Sequence, residues 1–199
     1  MSQTFNCLTT KEKIIRAAMD IITEEGLESM TIRKIAKRAN VNVAAVNYHF
    51  GSKDTVINEA LRNVTEQLKS TFEYLKNSSD NSEAKLSTFI ENYTNIMFEY
   101  PDMIKSMINH AIHNKPLDRH AEYIAFIQTD GMALINQAIR QIRPDLDDCL
   151  LSLKTLQLLS AISFPVLMGD QFGFLMSIDL HNVEIRDRYT KLLVESICR

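Results

Sequence analysis

Between Ser29 and Lys53 the chain carries five basic side chains, Arg33, Lys34, Lys37, Arg38 and Lys53, and no Asp or Glu. Lys and Arg gathered in this way neutralise phosphate, so the segment has the electrostatics of a polyanion-binding surface. A solvated helix face would give the same count, and charge alone leaves both readings open. The 199-residue chain has a formal net charge of -3, so with +5 in this segment the remainder holds -8. One end suits a polyanion, and the rest would repel it.

These side chains have to be held by helices. The composition, 45% apolar and 24% charged, is that of a folded globular chain. With 5 Gly and 4 Pro, turn residues are too scarce for the many turns of a sandwich or barrel. From Thr10, residues Ile14, Ala18, Ile21 and Ile22 follow helical spacing until Gly26. Thr31 can cap a short helix through Ile35 and Ala36, Asn40 tolerates a positive φ in the turn, and Asn42 can cap a third helix over 43–49. Ser52 caps the next, whose apolar stripe runs from Val56 to Leu75. Beyond the polar linker 76–82, helical spacing recurs to Pro101, to Pro116, and around Tyr123 to Pro144. Residues 146–168 are apolar on nearly every side and predict a helix buried all round. An irregular stretch 169–180 precedes a last helix, 183–198, with Asn182 as its cap. The expected fold is all-α, with about nine helices.

Residues 31–49 thus form a helix-turn-helix, in which a first helix braces on the phosphate backbone and a second lies in the major groove. The second helix presents small or polar residues, Val43, Ala44, Ala45, Asn47 and Tyr48, which permit close approach to bases and thymine methyls. Asn47 could pair bidentately with adenine. Lys53 opens the following helix, where unpaired N–H groups favour phosphate.

Residues 10–61, about a quarter of the chain, resemble the N-terminal DNA-binding domain of the TetR family of transcriptional regulators. The resemblance is carried by Ile14, Ala17, Ala18, Gly26, the run Thr31-Ile32-Arg33-Lys34-Ile35-Ala36, Ala39, Val41, and Val46-Asn47-Tyr48-His49-Phe50-Gly51-Ser52-Lys53. Family members commonly have Gly, Ser and Tyr where this chain has Asn40, Asn42 and Asn47. The first two exchanges keep turn and cap chemistry, and Asn47 is either a base reader or a phosphate contact. The resemblance implies a DNA-binding domain over 1–54 and a ligand-binding and dimerisation domain over 55–199, assembled as an Ω-shaped homodimer. The last two helices would form a four-helix interface between subunits; burial inside a monomer core is the other reading of them. The implied DNA-binding residues are Thr31, Arg33, Asn42, Val43, Ala44, Ala45, Asn47, Tyr48, His49 and Lys53. The implied activity is regulation of a palindromic double-stranded DNA operator, most simply repression relieved by a small-molecule effector.

Methionines and aromatic rings concentrate in the second half, and adaptable thioethers and flat rings suit an apolar ligand. The expected ligand-binding residues are Met97, Met103, Met107, His110, Tyr123, Phe126, Phe164, Met168 and Phe172. Each of them taken singly fits plain core packing as well. His110, His113 and His120 lack a completing ligand set, so no metal is expected. Cys7, Cys149 and Cys198 fit neither a disulfide framework nor metal spacing, which with the absence of a signal-peptide pattern predicts a cytoplasmic protein. The stretch 150–168 has spanning length, but Lys154, Gln157 and Pro165 interrupt it, and no membrane partner is expected. No catalytic or phosphate-loop motif and no cofactor signature occurs in the sequence. The rival expectations are a helical interaction protein with a degenerate helix-turn-helix and, with less behind it, a small-molecule enzyme on a helical bundle.

Overall fold

The computed structural model describes residues 8–112 and 125–199, and the side chains at 106, 107, 109–112, 170 and 172 lie outside that description. Among the described residues the chain is all-α: α1 (Thr10–Glu25), α2 (Ile32–Arg38), α3 (Val43–Phe50), α4 (Lys53–Asn77), α5 (Ser82–Glu99), α6 (Pro101–Ile112), α7 (Met132–Ile142), α8 (Asp148–Met168), α9 (Asp170–Met176) and α10 (Val183–Cys198). The described residues hold ten helices, against about nine expected for the whole chain. α9 lies inside the stretch read as irregular, because Gly169 turns the chain at φ 53° and the backbone resumes a helix at once.

Local chemistry explains the helix starts. Thr9 caps α1: its hydroxyl accepts the Glu12 N–H at 3.2 Å, and the Glu12 carboxylate accepts the Thr9 N–H at 2.7 Å. That reciprocal pair satisfies two of the donors a helix start leaves open. Asn81, Asp147 and Asn182 cap α5, α8 and α10 through their side-chain oxygens.

The chain divides into two compact units, one ending at Val64 and the other beginning at Thr65, so α4 contributes to both. In the first unit Ile14, Ala18 and Ile21 of α1 meet Ile35 and Ala36 of α2, Val46 and Phe50 of α3, and Val56 and Ala60 of α4 in one buried core. In the second unit α5 packs against α10 and α7, and α8 packs against α7 and α6. Phe72 is its aromatic centre: its ring centroid lies 4.9 Å from Phe89, 5.8 Å from Tyr93 and 5.2 Å from Phe126. A π turn, Ile127–Gly131, leads into α7 beside this cluster, and a Cβ at Gly131 would come within 3.3 Å of the Phe72 ring.

α8 departs from the expectation of a helix buried all round. Leu151, Thr155, Leu158, Ile162 and Val166 are buried, whereas Leu150, Leu153, Leu156, Phe164 and Leu167 are exposed. At about 100° per residue the two sets fall on opposite stripes of the helix. Composition makes the helix apolar on both sides, but among the described residues only one side is buried.

Candidate nucleic-acid interface

The helix-turn-helix is built by two caps and one turn. The Thr31 hydroxyl accepts the Lys34 N–H at 3.2 Å and starts α2. Asn40 takes φ 53°, and the Val41 N–H reaches back to the Ala36 carbonyl at 3.0 Å, closing α2 and turning the chain. Asn42 then accepts the Ala45 N–H at 2.6 Å and starts α3. Ser52 accepts the Thr55 N–H at 3.1 Å, so Lys53 stands in the first turn of α4.

α3 buries Val46 and Phe50 and leaves Val43, Ala44, Asn47, Tyr48 and His49 exposed, with Ala45 half-buried. Tyr48 is 86% exposed, and its ring meets His49 edge-on at 5.2 Å. A large ring held almost wholly in solvent on a short rigid helix is the type of side chain that partner surfaces take up.

The five basic residues divide into two sets that sequence counting cannot separate. Arg38 pairs with Glu24 at 2.7 Å, and Lys34 pairs with Glu25, so both tie α2 to α1. The Arg38 guanidinium hydrogen bond holds the Glu24 carboxyl below its ordinary range, and Glu24 raises Arg38 in return. Arg33 and Lys37, one helical turn apart on α2, and Lys53 have no ion pair among the described residues. Reasoning from the basic segment missed Glu24 and Glu25, although their place just before Gly26 at the end of α1 was a readable signal. Of the five, Arg33, Lys37 and Lys53 are therefore the ones without an ion pair among the described residues. The first unit as a whole holds nine Lys and Arg against seven Asp and Glu. Lys37→Ala is expected to flatten the slope of log affinity against log salt for DNA by about one unit, while Lys34→Ala leaves that slope unchanged. A salt titration by fluorescence anisotropy reads both.

Of the nine expected ligand-binding residues, five have described side chains. Met97 and Met103 are buried, Phe126 and Met168 are half-buried, and Phe164 faces outward on α8. The side chains of Met107, His110 and Phe172, and all of Tyr123, lie outside the described residues, as do Cys7, His113 and His120. Among the described residues no group of three or more His, Cys, Asp or Glu could hold a metal.

Residues 14–60 match the model of the bacterial regulatory proteins of the tetR family. The chain is 30% identical over 82 residues to the HTH-type transcriptional regulator BetI of Stenotrophomonas maltophilia, covering 41% of this chain and 42% of that protein. It is 30% identical over 90 residues to IcaR of Staphylococcus aureus, the negative transcriptional regulator of a biofilm operon, covering 45% of each. The aligned part thus spans less than half the length of these curated relatives. A TetR-family regulator from Marinobacter aquaeolei superposes with a TM-score of 0.70 at 17% identity, covering 94% of this chain and 90% of that one. A TetR regulator from Legionella pneumophila gives 0.67 at 16% identity, covering 96% and 99%. Residues 14–60 are thus similar to the N-terminal domain of that family, and the described chain shares the fold of these solved regulators.

Proposed function

We propose that this chain is a homodimeric, sequence-specific DNA-binding transcriptional regulator, a repressor that holds a palindromic operator and is released by a small apolar or amphipathic effector. The observation that carries the reading is α3: it offers Val43, Ala44, Asn47 and Tyr48 outward, with Arg33, Lys37 and Lys53 free of ion pairs among the described residues. Small side chains let the helix sit deep in the major groove, Asn47 supplies an amide for a base edge, and the three cations neutralise phosphate. Thr31 and Asn42 serve as caps, and their backbone positions set the register of both helices. The negative regulation named for IcaR supports repression over activation. The outward apolar stripe of α8 supports a second copy as partner, and two-fold symmetry then demands a palindrome. Such a regulator works in the cytoplasm, where its operator is.

Because α4 belongs to both units, a change in the second unit can reach the first along one continuous helix. A coupling of about 1–3 kcal/mol would weaken operator binding roughly 5–150-fold. The test is a footprint on the DNA upstream of the gene encoding the chain, followed by base-by-base substitution of the protected site. Asn47→Ala is expected to relax discrimination at one position by roughly 1–3 kcal/mol while leaving other positions unchanged. A footprint without two-fold symmetry, or none at any salt concentration, would defeat the reading.

A further inference from the structure

A cavity of about 600 Å³ opens in the second unit between the start of α6, the end of α8 and the segment leading into α10. Its volume lies within the range of small-molecule sites. Among the described residues, Met97, Met103, Phe126, Phe164 and Met168 do not line it. The floor is apolar, made by Phe98, Pro165, Val166 and Leu180. Phe98 is fixed from two sides: the His181 ring meets it edge-on at 5.7 Å, and the Arg186 guanidinium lies 5.7 Å from its centroid. Arg186 is itself held by Asn95 Oδ1 at 2.8 Å and the Leu180 carbonyl at 2.9 Å, so this wall is preformed. Gly169 and Gly173 also belong to the lining. A Cβ at Gly169 would stand 3.3 Å from Lys105 Nζ, and one at Gly173 would stand 3.3 Å from the Ile178 carbonyl.

Lys105 is the cation of this lining, and its ammonium lies across the last turn of α8. Its sole ionic partner among the described residues is Asp102, at 3.8 Å, beyond hydrogen-bonding distance. Two carboxylates are described in the lining, and only Asp102 pairs with Lys105. Asp102 stands in the first turn of α6, where helix N–H groups favour an anion, and Asp179 accepts the His181 N–H at 2.8 Å. An ammonium whose one ionic partner among the described residues is 3.8 Å away, beside an apolar lining, complements a molecule with one anionic end and one apolar end.

We propose that this cavity binds a small amphipathic carboxylate, its oxygens on Lys105 and its hydrocarbon on Phe98, Pro165, Val166 and Leu180. The assignment goes beyond the regulatory reading by naming a site and a ligand class, and it relies on that reading only for the consequence of binding.

Calorimetric titration of the full chain with octanoate, octylammonium and 1-octanol tests it. Octanoate is expected to bind, with the other two at least about 10-fold weaker, as loss of a charge-assisted hydrogen bond implies. Lys105→Met should weaken octanoate by about 10-fold or more, while Lys105→Arg stays within about threefold because it keeps the charge. Asp102→Asn removes the competing carboxylate and should tighten binding, which decides the matter if Lys105→Met loses its helical circular-dichroism signal. Absence of octanoate binding, an affinity unmoved by Lys105→Met, weaker binding by Asp102→Asn, or preference for octylammonium would each overturn the site. Operator affinity is measured separately with and without octanoate. Saturable, Lys105-dependent binding that leaves operator affinity unchanged keeps the site and removes the effector role, whereas a chain that binds no operator defeats the regulatory reading and leaves the calorimetry to decide the site.

Discussion

A chain carrying Leu153→Glu and Leu156→Glu is expected to run as a monomer and to lose about 10²–10⁴-fold in affinity for a palindromic operator. The two leucines are 51% and 58% exposed and stand on the outward stripe of α8 with Leu150, Phe164 and Leu167. An apolar stripe of that length is unusual on a monomer's surface and marks an association face. In an isologous interface each substitution occurs twice, so four carboxylates would enter the buried patch without partners. The loss on DNA follows from avidity: once the subunits part, the second recognition helix no longer binds as a tethered neighbour. Because the changed residues are exposed, helical content should remain that of the unmodified chain. Sedimentation equilibrium checks the oligomeric state and anisotropy the DNA affinity. A double variant that stays dimeric, or a monomer that keeps full operator affinity, would show that the interface lies elsewhere or that half-sites are read singly.

Phe72→Ala is expected to cost about 3–5 kcal/mol of stability, in the range for truncating a fully buried aromatic ring. Phe72 is completely buried and is the shared neighbour of the Phe89, Tyr93 and Phe126 rings. Those rings come from α5 and from the residue entering the π turn, so no single neighbour can move in to close the gap. The edge-to-face geometry of the Phe72 pairs is lost along with the apolar contact. Urea unfolding followed at 222 nm reads the effect. A loss below about 1 kcal/mol would mean that the cluster relaxes around the void.

Much of this architecture was legible in the sequence because its signals are local. Thr31, Asn42, Ser52 and Asn182 cap the helices they precede, and Asn40 takes the positive φ anticipated for it. Each depends on chemistry within three or four residues. What stayed hidden depends on contacts across the chain or outside it. The pairing of Arg38 with Glu24 joins residues fourteen apart, so counting charges over 29–53 overstated what is available to phosphate. The helix α9 hides behind Gly169, which reads as a breaker whatever follows it. The exposed side of α8 could not be told from its buried side, since Leu has the same composition signal under its own chain as under a second one. The cavity beside Lys105 joins α5, α6, α8 and the approach to α10, and no spacing rule links Phe98 to His181.

The exposure of Tyr48 has an optical consequence. The chain contains no Trp and only six Tyr, so its near-ultraviolet emission is phenolic. Tyr93 and Tyr100 are buried, Tyr74 donates its hydroxyl to Asp80, and Tyr189 donates to the Ala161 carbonyl. Tyr48, with 86% of its surface open, is the described phenol most accessible to collisional quenchers. Iodide quenching of the unlabelled protein therefore samples the outward side of α3 directly, and the ring at the centre of the candidate interface serves as its own fluorophore.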